Sequence, residues 1–259
     1  MRQLLAALLL CSAIPVSHAT AVSGQGTWET TLQARDFDGN PATIEGYYDT
    51  VLNVTWLNPV VTGAPKDWNG VQTYLSTLNP NGIGGWRLPV VRPIDGTTAD
   101  DVLTFSRIGT EDYGYNVSAP GTLYAGSTAS ELAHLFFNTL GNIAQYDPMT
   151  GAELSGTTGT NYGLTNTGPF NVIQPSVVGR TNGMYWSQTA VVALPNSNWA
   201  FDFHNGNQAQ VLRSSQYYVW SVHDGAVGNA IAPVPLPTAA WLLLSGLGGL
   251  GFVGRRKAA

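Results

Sequence analysis

The sequence predicts an α+β fold: one compact domain with two main helices, short strands and long loops, flanked by a signal peptide and a short C-terminal transmembrane helix. Three observations predict it. Short runs rich in β-branched and aromatic residues recur along the middle of the chain, each bounded by turn residues. Two stretches instead repeat their apolar residues at steps of three and four, the period of a helix face. Each end of the 259-residue chain carries an apolar run beside basic residues. The expected boundaries are 1–19 for the signal peptide, 20–232 for the domain and 233–259 for a C-terminal signal whose membrane segment is 238–253.

The first segment has Arg2, an apolar run Leu4–Cys11 and the small-x-small site Ser17-His18-Ala19, the three parts of a secretory signal peptide. Cys11 is the only cysteine, so the mature chain can form no disulfide, thiolate metal site or cysteine nucleophile. All 16 acidic residues lie in the middle body, against 7 of the 11 basic ones, which gives the body a net charge of −9. Nucleic acid and heparin-like polyanions need basic patches, so no nucleic-acid partner is expected.

In chain order, Thr27–Arg35 alternates and predicts a strand, and Asp36-Phe37-Asp38-Gly39-Asn40-Pro41 a turn. Tyr47–Trp56 predicts a second strand. Asp67–Leu78 places Trp68, Val71, Leu75 and Leu78 on one helical face, with Asp67 as N-cap. Arg92–Leu123 reads as a long irregular stretch. Ser130–Leu140 predicts the second helix, with Leu132, Leu135, Phe136 and Leu140 as its stripe and Gly141 as its stop. Tyr146–Arg180 reads as loop. Strands are predicted at Met184–Thr189, Trp199–Phe203, Ala209–Arg213 and Tyr217–Val222, with Asn205-Gly206 as a hairpin turn.

The tail holds Val234-Pro235-Leu236-Pro237, an apolar run from Thr238 to Val253, and Arg255-Arg256-Lys257. Together they resemble a PEP-CTERM sorting signal of Gram-negative bacteria, with Leu236 where Glu is usual. The resemblance implies signal peptidase and an exosortase as processing partners, a transient stay in the inner membrane, cleavage near the motif, and release to the cell surface or the exopolysaccharide outside. The run is 16 residues, or about 24 Å as a helix against a hydrocarbon core of about 30 Å, and is broken by Ser245 and several glycines. The basic cluster keeps its end cytoplasmic, which puts the body on the far side.

The body is similar to the Lcl C-terminal domain family. The residues that carry the likeness are Thr55-Trp56-Leu57, the helix near Trp68, Gly85-Trp86-Arg87-Leu88-Pro89, Ser130-Glu131-Leu132, Tyr185-Trp186-Ser187, Ala200-Phe201-Asp202-Phe203 with Gly206, and Tyr218-Val219-Trp220-Ser221-Val222 with Gly225. This implies a twisted antiparallel core with paired helices, related to the C-type-lectin-like and sulfatase-modifying-factor folds. Some members of the family are adhesins for sulfated polysaccharides; the −9 body argues against that ligand here. Formylglycine-generating relatives need cysteines for copper chemistry, which the mature chain lacks.

Asp36, Asp38 and Asn40, with Glu45 and Asp49 nearby, are oxygen ligands in a spacing that suits a hard cation, so calcium is the one candidate cofactor. Gly39 and Pro41 do not fit an EF-hand, and the same residues also make an ordinary solvated turn. His134, His204 and His223 are too scattered for a zinc site. No Gly-x-Ser-x-Gly elbow occurs, and Asp100/Asp101 and Glu111/Asp112 are paired only in sequence. Trp86, Trp186, Trp199 and Trp220 are expected mainly in the core; Trp186 and Trp199 are the candidate glycan contacts. Arg87 is expected to pair or cap structurally. The sequence thus predicts a non-enzymatic, surface-directed protein that binds polysaccharide. The alternatives are an envelope polysaccharide hydrolase and a structural protein that binds other proteins.

Overall fold

The computed structural model describes residues 25–58, 64–96, 104–170, 173 and 183–231. The expected signal peptide 1–19, the sorting residues Val234, Pro235, Leu236, Pro237, Arg255, Arg256 and Lys257, the expected membrane segment 238–253 and the Asp100/Asp101 pair lie outside them. Among the described residues, no helix is long and apolar enough to cross a membrane.

The described residues build two five-stranded sheets with short helices, an α+β architecture. The first sheet contains β1 (Leu32–Asp36), β2 (Gly46–Asp49), β3 (Val54–Leu57), β9 (Val222–Asp224) and β10 (Asn229–Ala230), in the order β10-β1-β2-β3-β9 with every pair antiparallel. The second contains β4 (Phe105–Ser106), β5 (Tyr113–Tyr115), β6 (Met184–Ala190), β7 (Ser197–Asp202) and β8 (Asn207–Leu212), in the order β4-β5-β8-β7-β6. Its one parallel pair is β4 with β5.

Several sequence expectations change here. The predicted strand over Thr27–Arg35 opens instead as a helical turn, α1 (Trp28–Thr31), before β1 begins. Thr27 is the reason: its carbonyl accepts the N–H groups of Thr30 and Thr31 and both of their hydroxyls. The single strand expected over Tyr47–Trp56 is a hairpin. Asp49 accepts the N–H groups of Val51 and Leu52 through Oδ1, and Asn53 takes φ +54°, a left-handed turn that Asn tolerates. Tyr217–Val222 is mostly extended chain making single bridges, to Lys66, Tyr185 and Arg87, before β9. Asn205-Gly206 closes a four-residue loop between Asp202 and Asn207, not a two-residue one.

The first long helix follows its prediction. In α2 (Trp68–Thr77) the Asp67 carboxylate accepts the Gly70 N–H, and the buried Val71 faces a core of Leu88, Met184, Trp186, Ala200 and Val211. The second begins as α3 (Glu131–His134), capped by Ser130 accepting from the Ala133 N–H, then widens into a π-turn over Leu135–Thr139. That turn carries Leu135, Phe136 and Phe137 into the main core between the sheets. There the Trp56 and Trp220 rings lie 5.1 Å apart, and Phe170 stands edge-on to Trp220 at 4.9 Å. An exported domain with no disulfide draws its stability from this kind of burial, each large aromatic removing extensive apolar surface from water.

Candidate functional site

The acidic turn brings together three of the oxygen ligands named from the sequence, Asp36, Asp38 and Glu45. Their ligand oxygens lie within 4.8 Å of one another. The Asn40 Oδ1 accepts the Ala42 N–H on the same turn. Asp49 belongs to the hairpin turn described above. The three carboxylates are already engaged by the loop: Asp36 accepts from the Asp38 and Gly39 N–H groups, Asp38 from that of Asn40, and Glu45 from that of Phe37. Their common action is to close the turn on itself.

The glycan contacts expected at Trp186 and Trp199 do not survive. Trp186 has no exposed surface and Trp199 only 6 %. The Trp186 indole N–H donates to the Lys66 carbonyl, and its ring meets Trp68 and Tyr217. Neither ring offers a face to a sugar. Trp86 and Trp220 are buried as well.

Arg87 binds the fold together. Its guanidinium forms two 2.9 Å bonds to the buried Glu131 and reaches Asp224 at 2.6 Å. Burial opposes the Arg87 charge, but these bonds outweigh it and hold the group above its usual range. The hydrogen bond from Arg87 likewise holds Asp224 below the ordinary carboxylate value.

The histidines are dispersed. His134 is buried at the end of α3 with Nδ1 3.1 Å from the Ser127 carbonyl, and burial lowers its pKa. His204 faces the Thr158 hydroxyl, and His223 packs on Trp86. Asp112 is buried and accepts the Ile94 N–H.

What the sequence did not disclose is a cleft of about 700 Å³. Its wall is mainly apolar, built from Ala119, Pro120, Phe137, Ile143, Tyr146 and Leu154. Thr27, Asn138 and Asp147 add polar groups. The segments forming it are far apart in the chain, which hides it from any local pattern. One wall is the π-turn. Another is the loop around Asn116 and Ser118, both left-handed with φ of +62° and +65°. The Asn116 amide locks that loop by donating to the Arg107 and Tyr146 carbonyls. The Tyr146 ring is fixed by Arg107 stacked 4.5 Å over it and by Tyr115, also at 4.5 Å. Burial, then the neighbouring Tyr146, pushes the Tyr115 hydroxyl up to about 12.

Gly26 and Gly141, which both line the cleft, touch backbone to backbone. A Cβ on Gly141 would overlap the Gly26 nitrogen, and one on Gly26 the Thr139 carbonyl. Both have positive φ, so glycine is required twice over. Asp147 closes its own turn, accepting from the Met149 and Thr150 N–H groups and the Thr150 hydroxyl. Those bonds hold its carboxyl below the ordinary value.

Residues 233–257 match the PEP-CTERM protein-sorting motif. No curated protein and no solved structure matches the chain. The motif marks an exported protein that passes through the membrane to the cell surface and is sorted by an exosortase. The likeness of the body to the Lcl C-terminal domain family draws no support from these comparisons.

Proposed function

We propose that this is a cell-surface or matrix protein of a Gram-negative envelope whose Lcl-like body binds extracellular polysaccharide without catalysing a reaction. The observation that carries the proposal is the sorting motif at 233–257, which marks an exported protein bound for the cell surface. The cleft gives the body a place to hold a polymer met at the cell surface. The non-catalytic reading is supported by how the titratable groups are used. Arg87, Glu131 and Asp224 bind one another, Asp112 caps backbone, and the acidic turn satisfies its own loop. Signal peptidase and exosortase are the processing partners, with the inner membrane as a transient stop.

Binding of the exported protein to exopolysaccharide extracted from its own producer tests the proposal. Retention on that polymer is expected; passage through it unbound removes the polysaccharide half and leaves the sorting half. A second reading, a protein partner, is favoured by the exposed Leu123 and Met149 on the cleft-forming loops, 74 % and 78 % exposed. Capture of a discrete polypeptide with no carbohydrate would select it.

A further inference from the structure

We propose that the cleft between the π-turn and the Asn116–Pro120 loop is the carbohydrate site, and that it takes an amino-sugar chain carrying both N-acetyl and free ammonium groups. This rests on the polysaccharide reading above and sharpens it to one site and one ligand class.

The shape of the wall comes first. Phe137, Ile143 and Leu154 would leave the hydroxyls of an ordinary hexose without partners, at a cost of desolvation. An acetyl methyl group suits that surface. Asn138, whose Nδ2 donates to the Ser118 carbonyl and whose Oδ1 is left as an acceptor, lines the same wall for the amide beside it. Pockets of this kind, mostly apolar with a few placed polar groups, are the usual form of a small-ligand site.

Charge then decides between neutral, anionic and cationic chains. Asp147 lines the cleft, and only its Oδ1 is engaged in the turn it closes. Glu153 lies on the same loop, paired in register with Tyr146. The Arg107 guanidinium is occupied by its stack on Tyr146. The body as a whole is at −9. A uronate or sulfated chain meets repulsion here, whereas an ammonium-bearing chain meets attraction.

The backbone of the cleft is also unusual on both sides. Left-handed Asn116 and Ser118 face a π-turn, and such departures gather where a ligand is clamped. The Gly26–Gly141 contact and the Asn116 amide over-determine this geometry, so the cleft is pre-formed and loses little on binding.

The test is calorimetric titration of the exported protein with four oligosaccharides of equal length. These are a half-N-acetylated chito-oligosaccharide, the fully acetylated one, a cello-oligosaccharide and an oligogalacturonate. The half-acetylated chain should bind tightest, with the last two weaker by about tenfold or more. Its binding should weaken as salt is raised. Ile143→Trp, at a half-exposed wall position, should weaken it about tenfold by filling the cleft. Leu154→Trp should do the same from the other wall, so that one misfolded variant does not decide the matter. Asp147→Asn should abolish the preference for the half-acetylated over the fully acetylated chain. Equal binding of the cello-oligosaccharide or the galacturonate overturns the ligand class. Carbohydrate binding that survives both tryptophans overturns the cleft and leaves the polysaccharide reading standing. Failure to bind any of the four or the producer's own polymer overturns both.

Discussion

Arg87 and Glu131 form a two-pronged pair, with Arg87 Nη1 2.9 Å from Glu131 Oε2 and Nη2 2.9 Å from Oε1. The pair ties the Trp86–Pro89 segment to the first turn of α3, and Glu131 Oε2 also accepts the Val90 N–H. Glu131 is 2 % exposed, so it cannot turn to water when its partner is lost. Arg87→Ala should therefore destabilise by roughly 3–5 kcal/mol, because the buried charge is left behind. Chemical denaturation measures it. Glu131→Gln together with Arg87→Ala should cost less than the sum of the two single changes.

Gly141→Ala is expected to destabilise by about 1–2 kcal/mol from the left-handed backbone alone, and further from overlap with Gly26. Urea unfolding should show a lower midpoint with an unchanged slope. The substitution also pushes one cleft wall outward, so ligand binding should fall more than stability predicts.

His134 sets a pH dependence on the acid side. Burial lowers its pKa from the ordinary 6.5, so the unfolded chain binds this proton more readily than the folded one. Its contribution is complete above 6.5 and is lost as pH falls from there towards the depressed folded value. Asp202 runs the other way: burial raises its pKa, so the penalty for its charge is full above the folded value and is relieved on acidification. Melting temperature followed from pH 7.5 to 5 should drop in the wild type, and His134→Gln should flatten that slope.

The acidic turn is held by its own backbone, so a chelator should leave the melting temperature unchanged. Asp36→Ala, which strips the acceptor from two N–H groups, should cost about 1–2 kcal/mol. A rise of several degrees on adding calcium, lost in Glu45→Gln, would instead place a cation among these carboxylates.

What could be read from the residues depended on how local the cause was. The helix α2 was legible because Asp67 and the Trp68–Val71–Leu75 spacing act within a few turns of one another. The hairpin over Gly46–Leu57 was read as one strand because Asp49 and Asn53, its turn residues, are embedded in a β-rich run. For Asp36, Asp38 and Glu45 the spacing was informative, because all three lie on or beside one tight turn. Trp186 and Trp199 misled because an aromatic in a strand looks the same whether it faces a ligand or the core. The cleft had no local signature at all, since its walls come from residues around 26, 116–120, 137–148 and 154.

Strand β10 is two residues long and lies at the sheet edge, paired through Arg35 with Ala230 and Asp36 with Asn229. Ile231 adds one more bond, donating its N–H to Ala34, and the matched sorting residues begin at 233. Any pull on the body through its C-terminal side meets these few bonds first, and meets them one at a time. The edge strand is thus the part of the first sheet that a load from the C-terminal side would reach before the Trp56–Trp220 core.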